Sequence, residues 1–201
     1  MEYSVTPVQV IQSSVNMLVF TCFLEEAIRE GTITPSTFKK ELRFGKAQDL
    51  VSFKASWSPE LLRNLSHNNT LMALGNTAIG TQKALEVLYG LPDAKDTTPA
   101  GSARVIVYQI RCAFAHDPLN PVWNPKPRFK HTYEVFLYPK GSPGSVARRM
   151  RLHPPSLLNK RLDPDDFGGI AAYIDLLRYF LAKAEDHPKG HQPYLPSIDK
   201  S

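Results

Sequence analysis

The residues of this 201-residue chain best equipped for chemistry are Arg111 and His116, in the stretch Val105-Ile-Val-Tyr-Gln-Ile-Arg111-Cys-Ala-Phe-Ala-His116-Asp-Pro118. A guanidinium is a lasting cation whose fork of donors suits a phosphate. An imidazole, with an ordinary pKa of about 6.5, gives or takes a proton near neutrality. Both sit in a strongly apolar stretch, where a polar side chain needs a partner. A structural explanation is open beside the chemical one: Arg111 meets an acid such as Asp117, and His116 caps carbonyls at a helix end. Five helical steps of about 100° set the two side chains roughly 140° apart, so one straight helix does not aim both at one atom. Pro118 biases Asp117 out of helical geometry, which lets the helix end near His116 and the imidazole swing. Alternatively, two copies of the helix facing each other across a dimer axis pool their residues.

The elements around this segment predict a mainly α protein, a four- or five-helix bundle with one inserted β-hairpin at about 128–152. Ile11, Val15, Leu18 and Cys22 recur at helical spacing from about Pro7 to Glu30, with Val19, Phe20 and Phe23 adding a second apolar face. A helix apolar nearly all round belongs in the centre of a bundle, and Gly31 closes it. Thr34-Pro35 predicts the start of a short basic helix through Arg43. Ser58-Pro59-Glu60 opens a long helical region through Leu88, interrupted near His67-Asn68-Asn69 and ended by Gly90-Leu91-Pro92; Gly75 and Gly80 weaken it or mark close helix contact. Ser102 is the expected cap of the motif helix, running to about Ala115. Phe129 to Leu137 alternates, Gly141-Ser142-Pro143-Gly144 is turn chemistry, and Val146 to Leu152 is the returning strand. Asp163-Pro164-Asp165-Asp166 starts the last helix with acids at its positive end. Phe167, Ile170, Ile174, Leu177 and Leu181 give that helix its expected buried stripe. The domain is expected to span 1–186, with 187–201 a loose tail.

The words Ile110-Arg111-Cys112-Ala113-Phe114-Ala115-His116 resemble the HEPN superfamily, helical-bundle proteins marked by an arginine, four to six residues, then a histidine. Helices on both sides fit that family's skeleton over most of residues 5–186. Cys112 stands where active members often carry a polar residue, and the hairpin is an addition to the simplest members. A second match to the spacing, Arg148 to His153, falls on an expected strand beside Pro154-Pro155, so context selects Arg111. The resemblance implies a metal-independent ribonuclease of a defence or toxin kind, homodimeric, with the motif at the subunit interface. His116 is then the proton-transfer group of a 2′-hydroxyl transesterification, and Arg111 holds the scissile phosphate. The alternatives are an inactive HEPN-like module that binds nucleic acid or a protein such as an antitoxin, and an unrelated helical protein whose Arg111 and His116 are structural.

A net charge of +5 and pI near 9.2 permit RNA as partner without requiring it. The expected RNA contacts are Lys126, Arg128, Lys130, Arg148, Arg149 and Arg151 on the hairpin, among Phe129, Tyr133 and Tyr138; a solvated hairpin covering the bundle is the other explanation. His131 and His153 lack the spacing of a metal pair, and no Gly-rich phosphate loop occurs, so no metal or cofactor is expected. Two cysteines, Cys22 and Cys112, sit in apolar stretches and suggest small core residues of a reducing compartment. Met1-Glu2-Tyr3 lacks a cationic signal region, and the apolar run Met17–Leu24 is short against the roughly 20 residues of a bilayer span, so a cytoplasmic location without membrane attachment is expected.

Overall fold

The computed structural model describes residues 4–37, 41–44, 49–52, 57–115, 117–138 and 146–193. Its elements run α1 (Pro7–Arg29), β1 (Glu41–Phe44), β2 (Asp49–Ser52), α2 (Pro59–Tyr89), α3 (Pro99–Phe114), β3 (Tyr133–Leu137), β4 (Arg148–Leu152) and α4 (Gly169–Glu185). The expected fold class holds: a helical bundle carrying an antiparallel hairpin, β3–β4, between the motif helix and the last helix. The chain divides into two compact units, Met1–Val19 with Met72–Ser201, and Phe20–Leu71.

In the smaller unit, Gly31 ends α1 at φ +77, and the Ile33 amide donates to the Ala27 carbonyl at 3.0 Å. The basic helix expected from Pro35 through Arg43 is absent from the described residues, since 41–44 is strand. Thr34 and Thr37 close one 3-10 turn, the Thr34 amide donating to the Thr37 hydroxyl at 3.1 Å. The chain continues as β1, paired antiparallel with β2 from Glu41↔Ser52 to Phe44↔Asp49. A cap signature specifies the first turn and leaves the later turns to other forces. The expected break at His67-Asn68-Asn69 is also absent. Leu62, Ser66 and Thr70 form a buried stripe beneath those three exposed residues, and continued packing outweighs weak asparagine propensity. The two hydroxyls are satisfied within the helix, by the Arg63 and Ser66 carbonyls.

In the larger unit, Ile11, Val15 and Leu18 of α1 are buried. Further along that helix Phe20 and Phe23 are 68% and 71% exposed, so α1 is not the all-round buried helix expected. As a whole it is nonetheless long and apolar enough, by length and composition, to cross a membrane, with 33% of its apolar stretch buried; the eight-residue run understated it. Helix α3 starts three residues before the expected cap. Thr98 is the N-cap, its hydroxyl accepting from the Gly101 amide at 3.2 Å with Pro99 next. Ser102 lies inside the helix and donates to the Thr97 carbonyl.

The hairpin registers Tyr133↔Leu152, Val135↔Met150 and Leu137↔Arg148 on one face, and Glu134↔Arg151 and Phe136↔Arg149 on the other. Tyr133, Val135, Met150 and Leu152 are buried, β3 packs on α3, and the Tyr133 hydroxyl donates to the Ala94 carbonyl at 2.6 Å.

The Asp163 capping box forms as expected but opens only a 3-10 turn, Pro164–Phe167. Gly168 and Gly169 come next at φ +110 and +89, and α4 begins there. The break rotates the helix relative to Phe167. Its buried stripe is therefore Ala172, Tyr173, Leu176, Leu177, Phe180 and Ala184, with Ile170, Ile174 and Leu181 only half-buried. The first residues of the expected loose tail are held: the Val8 amide donates to the Gly190 carbonyl at 3.1 Å, and His187 sits edge-on to Tyr89. Residues 194–201 of that tail lie outside the described residues.

Candidate functional site

Helix α3 is buried along most of its length, from Gly101 to Ile110 apart from Arg104, and again at Ala113 and Phe114. That burial fixes the helix and leaves one narrow stripe at the surface, carrying Arg104, Arg111 and Cys112, all half-buried. Arg104 and Arg111 are seven residues apart, two turns along one face, about 10 Å by helical rise.

Arg111 occupies the last turn. The expected pairing with Asp117 is not made: the Asp117 carboxylate accepts from the Leu119 and Asn120 amides at 3.0 and 3.1 Å, closing the turn just past the helix. Among the described residues no ion pair or hydrogen bond engages Arg111. At the helix end the Ala115 amide donates to the Cys112 carbonyl at 3.3 Å. Cys112, expected in the core, is a half-exposed free thiol, as is Cys22; burial first, then Glu25, pushes the Cys22 thiol up. His116, the expected proton-transfer residue, lies outside the described residues.

Arg104 contrasts with Arg111. Its Nη2 donates to the Tyr89 and Gly90 carbonyls at 3.3 and 2.7 Å, and the group lies 5.5 Å from the Tyr89 ring centre. Burial pulls its pKa down, with Asp96 opposing. It is a clamp on the C-terminal end of α2.

The six expected RNA contacts separate into two groups. Arg148 is on the core-facing side of β4 and donates to Asp175, a carboxylate with a side chain only 3% exposed that also takes Arg178 at 3.2 Å. Arg149 is bonded to Glu134. Lys126, Arg128, Lys130 and Arg151 are exposed, and among the described residues none has an acidic partner; Arg128 lies over the Phe129 ring at 4.9 Å. Phe129 and Tyr133 are buried, while Tyr138 is exposed. His153 bonds the Thr132 hydroxyl at 3.2 Å. Among the described residues no group of three side chains could hold a metal.

Two features escaped the sequence reading. Lys160 and Arg161 are exposed and stand across a backbone pairing from Trp123 and Val122; no local pattern marks that pairing. A cleft of about 660 Å³ lies between the end of β3 and α4, lined by Tyr138, Asp175, Arg178, Tyr179 and Lys183 among others. The spacing of those α4 residues, three and four apart, was its available signal. No family model, curated protein or solved structure matches the chain.

Proposed function

We propose that this chain is a HEPN-like, metal-independent ribonuclease of the defence or toxin kind, acting in the cytoplasm with Arg111 and His116 as its catalytic pair. The observation that carries this reading is the Arg111 guanidinium, half-buried on a buried helix and unpaired among the described residues. A cation in the last turn of a helix, favoured there by the helix dipole and unclaimed by any acid among the described residues, keeps its donors available to a phosphate. That α1 does not span a membrane is supported by Ile11 and Leu18, fully buried, which a spanning α1 would withdraw from the core.

In this mechanism neutral His116 takes the proton of an RNA 2′-hydroxyl. The 2′-oxygen then bonds to the adjacent phosphorus, and the bond from phosphorus to the 5′-oxygen breaks. The imidazolium returns its proton to that leaving oxygen, so the products are a 2′,3′-cyclic phosphate and a 5′-hydroxyl. Arg111 binds the phosphate oxygens and offsets the charge that grows on them. The roughly 140° divergence that five helical steps would give this spacing favours a homodimer with α3 at its axis, one copy's histidine serving beside the other's arginine. A strictly monomeric mass by light scattering at tens of micromolar would remove the dimer.

The test is RNA cleavage in chelator, parent beside His116→Ala and Arg111→Ala. A second reading, an inactive module that binds nucleic acid or a protein such as an antitoxin, is favoured by Cys112 beside Arg111, where active relatives of the resembled family often carry a polar residue. A folded parent that never cleaves leaves that module as the reading.

A further inference from the structure

We infer that the irregular stretch 117–132, together with the segment 159–161 stitched to it, forms the surface that grips the RNA backbone, and that the hairpin's outer face does not. This rests on the ribonuclease reading above. Sixteen residues without helix or strand are long for a connection inside a compact unit, and such loops are functional or slack. This one is not slack. The Trp123 amide donates to the Lys160 carbonyl at 2.8 Å, the Asn159 amide to Trp123 at 2.9 Å, and the Leu162 amide to Pro121 at 2.9 Å. Trp123 and Phe129 are each 1% exposed. The Trp123 indole donates to Asp166 at 2.7 Å, and Phe129 packs between Tyr108 of α3 and Tyr133 of β3.

Between and beside these two aromatic anchors the chain presents Lys126, Arg128 and Lys130, with Pro125 and Pro127 restricting its backbone. Lys160 and Arg161 add two cations from across the pairing. All five are exposed and, among the described residues, free of acidic partners. Arg149 on the hairpin is already matched by Glu134, which leaves the outer face of the hairpin with Arg151 as its cation without an acidic partner among the described residues, against five on the loop surface. Each free cation that neutralises a phosphate releases about 0.7 of a counterion from a single strand, whereas a cation held by a carboxylate must first give up that partner. Trp123 and Phe129 are buried as anchors, and the exposed ring left on this surface is the His131 imidazole, so it offers phosphate contacts above all. It therefore grips RNA irrespective of sequence.

The experiment uses the His116→Ala full chain, which does not consume its ligand, and titrates labelled poly(U) and poly(A) at several salt concentrations. The variants are Lys126→Glu with Arg128→Glu, Lys160→Glu with Arg161→Glu, the milder Gln pair at 160 and 161, and Arg149→Gln. Tryptophan fluorescence in a Trp57→Phe background, which leaves Trp123 as the reporting indole, checks that the anchors stay buried. The expected result is similar affinity for both polymers. The salt slope should fall by about 0.7 for each loop cation removed on a single strand, and stay put for Arg149→Gln. Unchanged slopes in the loop variants, an equal drop in Arg149→Gln, or a parent with no salt-dependent RNA binding would overturn it. Falling slopes in a protein whose parent never cleaves support the surface and end only the ribonuclease reading; active cleavage with unchanged slopes ends only the surface.

Discussion

Arg104 and Arg111 lie on one face of α3, two turns apart, and have opposite fates. Arg104 is tied to the Tyr89 and Gly90 carbonyls and lies against the Tyr89 ring. Arg111 has no such hold among the described residues. Identical side chains on one helix face thus divide into a structural clamp and a free cation, and the division comes from what the rest of the fold brings alongside. Arg149 and Lys160 repeat the lesson on the surface, one matched by Glu134 and the other unmatched. Formal charge in a sequence counts both kinds alike.

The sharpest way to break the comparison is catalysis. Folded His116→Ala and Arg111→Ala should each lose about 10²–10⁴ in cleavage rate, measured by gel in chelator. Arg104→Ala should keep the rate of whatever protein remains folded. Parent-like cleavage by His116→Ala would remove that histidine from the chemistry.

Stability should run the other way. Arg104→Ala should destabilise by about 1–2 kcal/mol, through lost charge-assisted bonds to helix-terminal carbonyls. Arg111→Ala should fall within about 0.5 kcal/mol. Urea titration compares them, and equal losses would erase the distinction.

Gly75→Ala tests how tightly the end of α3 is held. Alanine normally favours a helix interior by about 1 kcal/mol over glycine. Here the added carbon would meet three Phe114 ring carbons, all closer than 3.0 Å, on a ring that is 1% exposed. Overpacking of about 1–3 kcal/mol should win, and displacing Phe114 should lower cleavage by disturbing Arg111. A more stable variant would mean that the ring yields.

On the hairpin, Arg148→Ala should cost about 1 kcal/mol, since Asp175 keeps Arg178 but loses one of two partners. Arg149→Ala, an exposed pair, should sit near zero. Thermal melts of the two variants decide it.

The smallest effect is alkaline. Burial pushes the Tyr173 phenol well above its ordinary value of 10.0. Below that value the phenol is neutral both folded and unfolded, and its contribution is complete. As pH rises past it the unfolded chain ionises first, so stability falls. Tyr173→Phe should flatten the decline in urea midpoint above about pH 10.

Much of the helical framework was legible because its signals are local. Gly31 ends α1, Pro59 opens α2 and Asp163 builds its capping box where capping chemistry puts them. The alternation read from Phe129 to Leu137 marked β3 only over Tyr133–Leu137, where a strand half covered by a bundle must alternate; residues 129–132 are irregular. Two of the misses share one cause. Thr34-Pro35 specified a turn and not a helix, and Asp163-Pro164 opened a turn that Gly168 interrupts. A cap governs its own turn, while neighbours decide whether the helix goes on.

The sequence by itself determined the helical class, the turn and alternation that mark the hairpin, and the Arg111–His116 spacing, all properties of residues within a few positions of one another, and the basic charge, a sum over the chain. Tertiary structure alone decided which cations are free. Arg148 reaches across 27 residues to Asp175, Arg149 is matched across a strand pair, and Trp123 is fixed by Asp166 at a separation of 43. Whether a charge is met depends on which distant chain segment folds beside it, and no local spacing encodes that.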